Sequence, residues 1–241
     1  MNKLWDYEDY VNHLSHQNKI VRRWAFSAIE NHYQNRYTDE VCNLIGDDVE
    51  HLACAAPRYL AMHEAVQHAP AILESFKKDH GNVPSNCATA LGNMFYEPAL
   101  EVMFEYFSLV RSAETFLGVL DYLGKIDNEN CRAALKSTIM QIQDTLIVGS
   151  AVANLLNHHY PDDVPFVMDK FLDLVDRNRH YDTYLRNISW AIGGGEYFRT
   201  LTEFPQHDIF EKPSDAIDNH ILKNATFELD KALHENIIKT L

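Results

Sequence analysis

One helical sequence pattern recurs six times in this 241-residue chain and restricts its possible folds more than any other feature. Each copy ends on a large aliphatic residue, and these anchor residues follow one another at steps of 31, 31, 32, 32 and 37 residues. The anchors are Ile29, Leu60, Leu91, Leu123, Leu155 and Ile192. Four positions before them lie the small or aliphatic residues Ala25, Ala56, Cys87, Val119, Ala151 and Ile188. Residues four apart share one face of a helix, so each copy predicts a helix with one buried stripe.

A second amphipathic stretch precedes each of these helices. The predicted first helices cover residues 7–15, 38–45, 66–77, 97–110, 128–141 and 164–177. Short polar turns join the two helices of each pair, which makes an antiparallel hairpin that cannot bury its apolar face alone. The sequence therefore predicts an all-α fold in which about six hairpins stack as a right-handed α–α superhelix.

The second helix of the first hairpin resembles a HEAT repeat, in the short form found in the phycobilisome-lyase HEAT-like family. Its matching residues are Val21-Arg22, Ala25, Ala28 and Ile29, and later copies match the family's Leu-Gly ending at Leu91-Gly92 and Leu123-Gly124. A glycine there lets a neighbouring helix approach closely. Lys19-Ile20 replaces the usual Asp before the Val-Arg pair, and the later copies lack the Arg. The resemblance covers about residues 6–193 and implies a HEAT-like solenoid without implying an activity.

The repeat pattern ends after residue 193. Three glycines, Gly193 to Gly195, end the sixth hairpin. Residues 194–213 show no helical period and predict an irregular connector. Residues 214–241 carry one apolar stripe and predict a helix that caps the last hairpin, as open arrays need. We therefore expect a single domain over residues 1–241, with the repeats in residues 6–193.

Charge and cysteine usage restrict the partners and the compartment. The chain has 21 basic and 35 acidic residues, a formal charge of −14, which opposes nucleic-acid binding because phosphate recognition needs clustered cations. The cysteines are Cys42, Cys54, Cys87 and Cys131. They lie among apolar residues without CxxC spacing, which predicts buried thiols in a reducing compartment. No apolar run approaches membrane length and no signal-peptide pattern is present, so we expect a cytoplasmic protein without a membrane segment.

Histidine-containing motifs raise the alternative of a metal-dependent hydroxylase. The pairs His63-Glu64 and His234-Glu235 are similar to the iron-binding pairs of deoxyhypusine hydroxylase, a HEAT-fold enzyme. That enzyme is recognised by four such pairs in register with its repeats, whereas His63 lies three residues past an anchor and His234 lies outside the repeats. A second cluster consists of His158, His159, Asp162 and Asp163. A polar turn between helices explains that cluster, so we expect neither a metal site nor a cofactor.

Two other enzyme classes on this fold are further alternatives. An alkylated-base DNA glycosylase would hold the damaged base with aromatic side chains and a carboxylate in a basic groove. The available residues are Trp24, Trp190, Arg22, Arg23 and Arg186. The two tryptophans lie five repeats apart, however, and we expect both to pack between helices. For a bilin-lyase-like activity, the sequence offers no residue set that would test it.

Polar residues on the second helices form the predicted binding site. These helices line the concave side of HEAT arrays, and a row of Asn and Arg suits an extended peptide with acidic side chains. The predicted binding residues are Arg22, Arg23, Arg58, Asn86, Asn93 and Arg186. Further members of the row are Asn31, Asn154, Asn157 and Asn187. Because no catalytic motif accompanies them, we expect a non-catalytic scaffold that binds a protein or peptide. The arginines of the row would suit an acidic partner.

Overall fold

The computed structural model describes residues 7–31, 37–78, 81–109, 112–142, 144–160, 162–163, 166–167 and 169–170. They include the helices α1 (Tyr7–Asn12), α2 (Lys19–Asn31), α3 (Thr38–Cys42), α4 (Glu50–Met62), α5 (Ala69–Lys77), α6 (Val83–Asn93), α7 (Leu100–Leu109), α8 (Ala113–Leu123), α9 (Glu129–Gln141) and α10 (Thr145–Leu156). Short 3₁₀ turns at Val66–His68 and Glu97–Ala99 lead into α5 and α7. No strand occurs in these ranges, so the predicted all-α class is confirmed for the described part of the chain.

The helices pair in the predicted order. The antiparallel partners α1 and α2, α3 and α4, α5 and α6, and α9 and α10 pack against each other. Helices α7 and α8 contact through Phe107 and Phe116, whose rings stack with centroids 5.4 Å apart. Five of the six predicted hairpins are thus present. The sixth hairpin, the connector over 194–213 and the capping helix over 214–241 fall on residues that lie mostly or wholly outside the described ranges.

The predicted buried stripe is confirmed in all five second helices. The anchors Ile29, Leu60, Leu91, Leu123 and Leu155 are all 0% exposed. The residues four positions earlier, Ala25, Ala56, Cys87, Val119 and Ala151, are at most 1% exposed. Burying one large aliphatic side chain contributes about 1.5–3 kcal/mol, so the repeated anchor is a main source of stability in each hairpin.

The chain forms two compact units, Met1–Tyr122 and Leu123–Leu241. In the first unit, polar contacts join equivalent positions of successive second helices. Glu50 Oε1 accepts hydrogen bonds from the backbone and side-chain nitrogens of Asn82, both at 3.1 Å, beside the starts of α4 and α6. Thr89 Oγ1 donates to Asp121 Oδ2 at 3.1 Å, farther along α6 and α8. Each contact spans 32 residues, one repeat step. A second pair joins the same helices at another level, Cys54 with Cys87 in α4 and α6 and Ser85 with Gly118 in α6 and α8. Both pairs run in the same direction along the chain, so α4, α6 and α8 lie parallel and in register.

Two glycines allow close approach between repeats. A Cβ atom on Gly118 would lie 2.5 Å from the carbonyl oxygen of Ser85, so α8 approaches the backbone of α6 where a larger residue would clash. A Cβ atom on Gly124 would lie 2.5 Å from Cβ of Asn154. The expected role of Gly124, directly after an anchor, is confirmed by this contact.

The second helices end in a repeated backbone motif. Glu64 and Phe95 adopt the left-handed conformation, with φ of 53° and 51°, four residues after the anchors Leu60 and Leu91. The amides of Ala65 and Tyr96 then donate to the carbonyl oxygens of these anchors, both at 3.0 Å. This pairing is the Schellman motif, which satisfies carbonyl groups left open at a helix end. The anchor thus buries its side chain and also ends its helix.

Replacing Glu64 with glycine should raise the free energy of unfolding by about 0.5–1 kcal/mol, because glycine adopts positive φ without a Cβ clash. Urea unfolding followed by circular dichroism would measure the change. The same substitution at Glu105, exposed inside α7, should lower the free energy of unfolding by about 0.5–1 kcal/mol. Effects of the same sign at both positions would contradict the assigned cap.

Candidate functional site

Three of the predicted binding residues are exposed on second helices of the first unit. They are Arg23 on α2, Arg58 on α4 and Asn93 on α6. The Arg58 side chain is 57% exposed, with Nη2 2.5 Å from Glu30 Oε1. Exposed ion pairs of this kind contribute about 1 kcal/mol or less, so a carboxylate of a partner can replace Glu30.

Arg22, predicted as an exposed binding residue, is buried, with 9% of the residue exposed. Its Nε and Nη2 hold Asp47 in a two-point ion pair at 2.9 and 3.0 Å, and Nη2 also contacts Asp48. Nη1 donates to the carbonyl oxygens of His16 and Gln17 at 2.9 and 3.2 Å. All five N–H groups of the guanidinium therefore have acceptors inside the protein. Arg22 connects the turn before α2 with the turn before α4 and has no donor left for a partner.

The ion pair between Arg22 and Asp47 shifts the pKa of both groups. The hydrogen bond with Asp47 is the largest influence that raises the pKa of Arg22. Burial alone would raise the pKa of Asp47, but hydrogen bonds from Arg22 and from the Val49 amide outweigh it, and the pKa of Asp47 is lowered. Each group thus stabilises the charged form of the other.

The predicted asparagine row is only partly available to a partner. Asn86 is half-buried and its Nδ2 donates to the carbonyl of Asn82 at 3.0 Å. Asn154, expected beside the exposed row, is 6% exposed and donates to the carbonyl of Ser150 at 3.0 Å. It is buried because Gly124 packs against it. Asn31 and Asn157 are exposed. Arg186 and Asn187 lie outside the described residues.

The His63-Glu64 pair belongs to a helix end. His63 is the last residue before the left-handed Glu64 in the cap of α4. His158 occupies the same position, three residues after the anchor Leu155, as His63 does after the anchor Leu60. This shared spacing in the sequence indicates that both histidines belong to helix ends. Within the described ranges, no group of three or more His, Cys, Asp or Glu side chains is arranged to hold a metal ion. The second pair, His234-Glu235, lies outside those ranges.

The His158 ring is held as a neutral group. Its Nε2 lies 3.0 Å from the carbonyl oxygen of Leu123, which can only accept, so Nε2 carries the proton. Nδ1 is buried without a hydrogen-bond partner. Burial is the main cause of the lowered pKa of His158; the Leu123 carbonyl, Asp127 and Asp163 act in the opposite direction.

Lowering the pH from about 7.5 to about 5 should destabilise the protein, and His158→Gln should reduce that loss. In the unfolded chain this histidine titrates near 6.5, above its pKa in the folded protein. Between these two values the unfolded state binds more protons, so stability falls as the pH falls. Urea midpoints at several pH values would measure the slope, with the exposed His51→Gln as the matched control. An unchanged slope in His158→Gln would contradict a buried neutral ring.

A buried carboxylate in the second unit organises a network that the sequence did not reveal. The Asp163 side chain is 0% exposed and accepts from Arg132 Nε and Nη2 at 2.6 and 2.7 Å. Lys136 Nζ lies 2.5 Å from Asp163 Oδ1, the same oxygen that accepts from Arg132 Nη2. The Arg132 guanidinium also lies over the ring of Tyr160, 4.2 Å from the centroid. The separation of 31 residues between Arg132 and Asp163, one repeat step, was the available signal.

The four cysteines are free thiols. Cys87 and Cys131 are buried, and burial raises the pKa of Cys87 to about 12 and that of Cys131 to about 11. Thiols with such pKa values are poor nucleophiles. The prediction of buried thiols is confirmed for these two, whereas Cys42 and Cys54 are half-buried.

Trp24 departs from the expected packing between helices. Its side chain is 53% exposed, and its ring meets Tyr10 edge to face with centroids 5.4 Å apart. Packing therefore covers only part of the indole. Trp190 lies outside the described residues.

The chain matches no known family model, and no curated protein is similar to it in sequence. The helices of the described part are all too short or too polar to cross a membrane.

Proposed function

We propose that the chain is a HEAT-like solenoid that acts as a non-catalytic scaffold and binds an extended protein segment along its second helices. One observation supports this most directly. In the first unit the second helices α4 and α6 lie parallel and in register and carry the exposed Arg58 and Asn93, and α2, which packs against α4, carries the exposed Arg23.

The spacing of the helices fits an extended peptide. Packed helices lie about 8–10 Å apart, and an extended chain advances about 3.3 Å per residue. Roughly every third residue of a bound segment would therefore meet a new second helix. The asparagine amide suits its backbone, and the arginines suit its carboxylates.

The distribution of charge favours an acidic segment on this face. The exposed acidic residues Asp39, Glu74, Glu97, Glu101 and Glu105 lie on or beside the first helices. Lys19, Arg23 and Arg58 lie on second helices instead. Lys77 and Lys78 at the end of α5, and the exposed Glu50 and Glu114 on second helices, reduce this difference. Arg23 and Arg58 themselves, more than the overall charge of either side, would therefore orient an acidic partner. The free cysteines are consistent with the cytoplasmic location that we propose.

Site-specific photo-cross-linking in an extract of the source cells tests this function. A photoreactive residue at Asn93 should cross-link a partner, whereas one at Glu105 should not. Arg23→Ala with Arg58→Ala should lower the cross-linked yield about tenfold or more, since each lost charge-assisted hydrogen bond contributes about 1.5–3 kcal/mol. Lys77→Ala with Lys78→Ala, cations on and just after the first helix α5, is the matched control. Equal yields from both positions, or no effect of the arginine changes, would refute the proposed face.

A further inference from the structure

An exposed apolar edge runs along two neighbouring helix ends of the first unit. Met62 and Val66 flank the cap of α4 and are 52% and 44% exposed. Phe95 lies in the cap of α6 and is 67% exposed. We call these three residues the Phe95 edge.

The repeat register brings the parts of this edge together. Glu64 and Phe95 are equivalent residues of equivalent caps, and α4 and α6 pack side by side in parallel. The two caps therefore lie roughly 8–10 Å apart, the usual distance between packed helices. Phe95 holds a left-handed conformation that costs a non-glycine residue about 1 kcal/mol, yet its ring points into solvent. Intramolecular packing does not explain a phenylalanine at this position.

Acidic side chains surround the Phe95 edge. Glu64 lies between Met62 and Val66, and Glu97 follows two residues after Phe95; both are exposed. A surface that covers this edge should thus combine apolar side chains with positive charge.

The same chain carries such a surface on α2. Ile20 and Trp24 are one helical turn apart and are 71% and 53% exposed. Lys19 and Arg23, both exposed, immediately precede them on the helix. We call these four residues the Trp24 face. It offers an apolar stripe beside two cations, the chemical complement of the Phe95 edge.

We propose that the Trp24 face of one copy of this chain docks on the Phe95 edge of a second copy. The two surfaces differ, so the contact is heterologous and leaves one unused surface at each end of a pair. The surfaces consist of three and four residues, against roughly 20–30 a side in a stable interface, so the association is weak and depends on concentration. The inference requires no other protein and shares only Arg23 with the binding face proposed above; Ile20, Trp24, Val66 and Phe95, which its serine variants replace, lie outside that set.

Sedimentation velocity on purified protein tests the inference by complementation. The weight-average sedimentation coefficient of the wild type should rise between about 10 μM and about 500 μM, the range expected for a weak contact. Ile20→Ser with Trp24→Ser should remain monomeric, and so should Val66→Ser with Phe95→Ser. An equimolar mixture of the two variants should form a 1:1 complex, because each variant retains the surface that the other lacks. Met140→Ser, at an exposed position on α9 outside both surfaces, should behave as wild type.

Charge reversal provides a second route if a serine variant fails to fold. Lys19→Glu with Arg23→Glu should abolish self-association, and adding Glu64→Lys with Glu97→Lys to the same chain should restore it. A wild type that stays monomeric at 500 μM overturns the inference. So does an unchanged association of either single-surface variant, or a mixture that does not associate.

Discussion

Asp163→Asn should lower the free energy of unfolding of the second unit by about 3 kcal/mol or more, because removing one member of a buried ion pair strands the other charges. The carboxylate is fully buried and neutralises both Arg132 and Lys136, whose side chains are only 21% and 31% exposed. Asparagine keeps the size of the side chain but supplies one acceptor in place of two charged oxygens. Both cations, partly withdrawn from water, would then lack their counter-charge.

Asp162→Asn is the matched control, since it makes the same chemical change one residue earlier on an exposed side chain. Urea unfolding followed by circular dichroism should show a loss of less than about 0.5 kcal/mol for the control. Similar losses at the two positions would show that Asp163 does not hold the network together.

Arg22→Ala should lower the free energy of unfolding by about 3 kcal/mol. The substitution leaves Asp47, whose side chain is only 9% exposed, without its cation. It also removes the donors to the carbonyl groups of His16 and Gln17. Arg22→Lys should recover only part of the loss, because an ammonium group cannot reproduce the planar two-point pairing.

Arg23→Ala separates stability from binding. Arg23 is adjacent in sequence and exposed, so its replacement should change the free energy of unfolding by less than about 0.5 kcal/mol. Thermal unfolding of the two alanine variants, side by side, makes the comparison. If Arg22→Ala were as stable as Arg23→Ala, the internal role assigned to Arg22 would be wrong.

The periodic part of the fold could be predicted because one physical requirement recurs in every repeat. A helix that packs on two sides needs a large aliphatic residue at one position and a small one four residues earlier. In the sequence this requirement produces the anchor residues and the small residues before them. The regular spacing of the anchors also predicted the order in which the helices pair. Whether successive hairpins form the expected right-handed superhelix depends on the angle between repeats, which residue types do not encode directly.

The candidate site was predicted less well, because burial depends on what lies opposite a residue. Arg22 precedes Ala25 by three positions and Ile29 by seven, so helical geometry already put it on the buried stripe. Only the acidic turn of the next repeat makes burial of its charge possible. Asn154 is buried because Gly124 leaves room for it. The residues that bury Arg22 and Asn154 belong to the neighbouring repeat. The apolar pattern of a single helix therefore does not predict these contacts.

The polar contacts between second helices also have a mechanical consequence. Those joining Glu50 to Asn82 and Thr89 to Asp121 reach only to the adjoining repeat. A force applied along the chain would pass through every boundary, and the weakest boundary could open without breaking the polar contacts at the others. Each hairpin that detaches would lengthen the tether by about 3.3–3.6 Å per released residue, minus the width of the folded hairpin. Under tension, the first unit would therefore extend in discrete steps, each from the detachment of one hairpin.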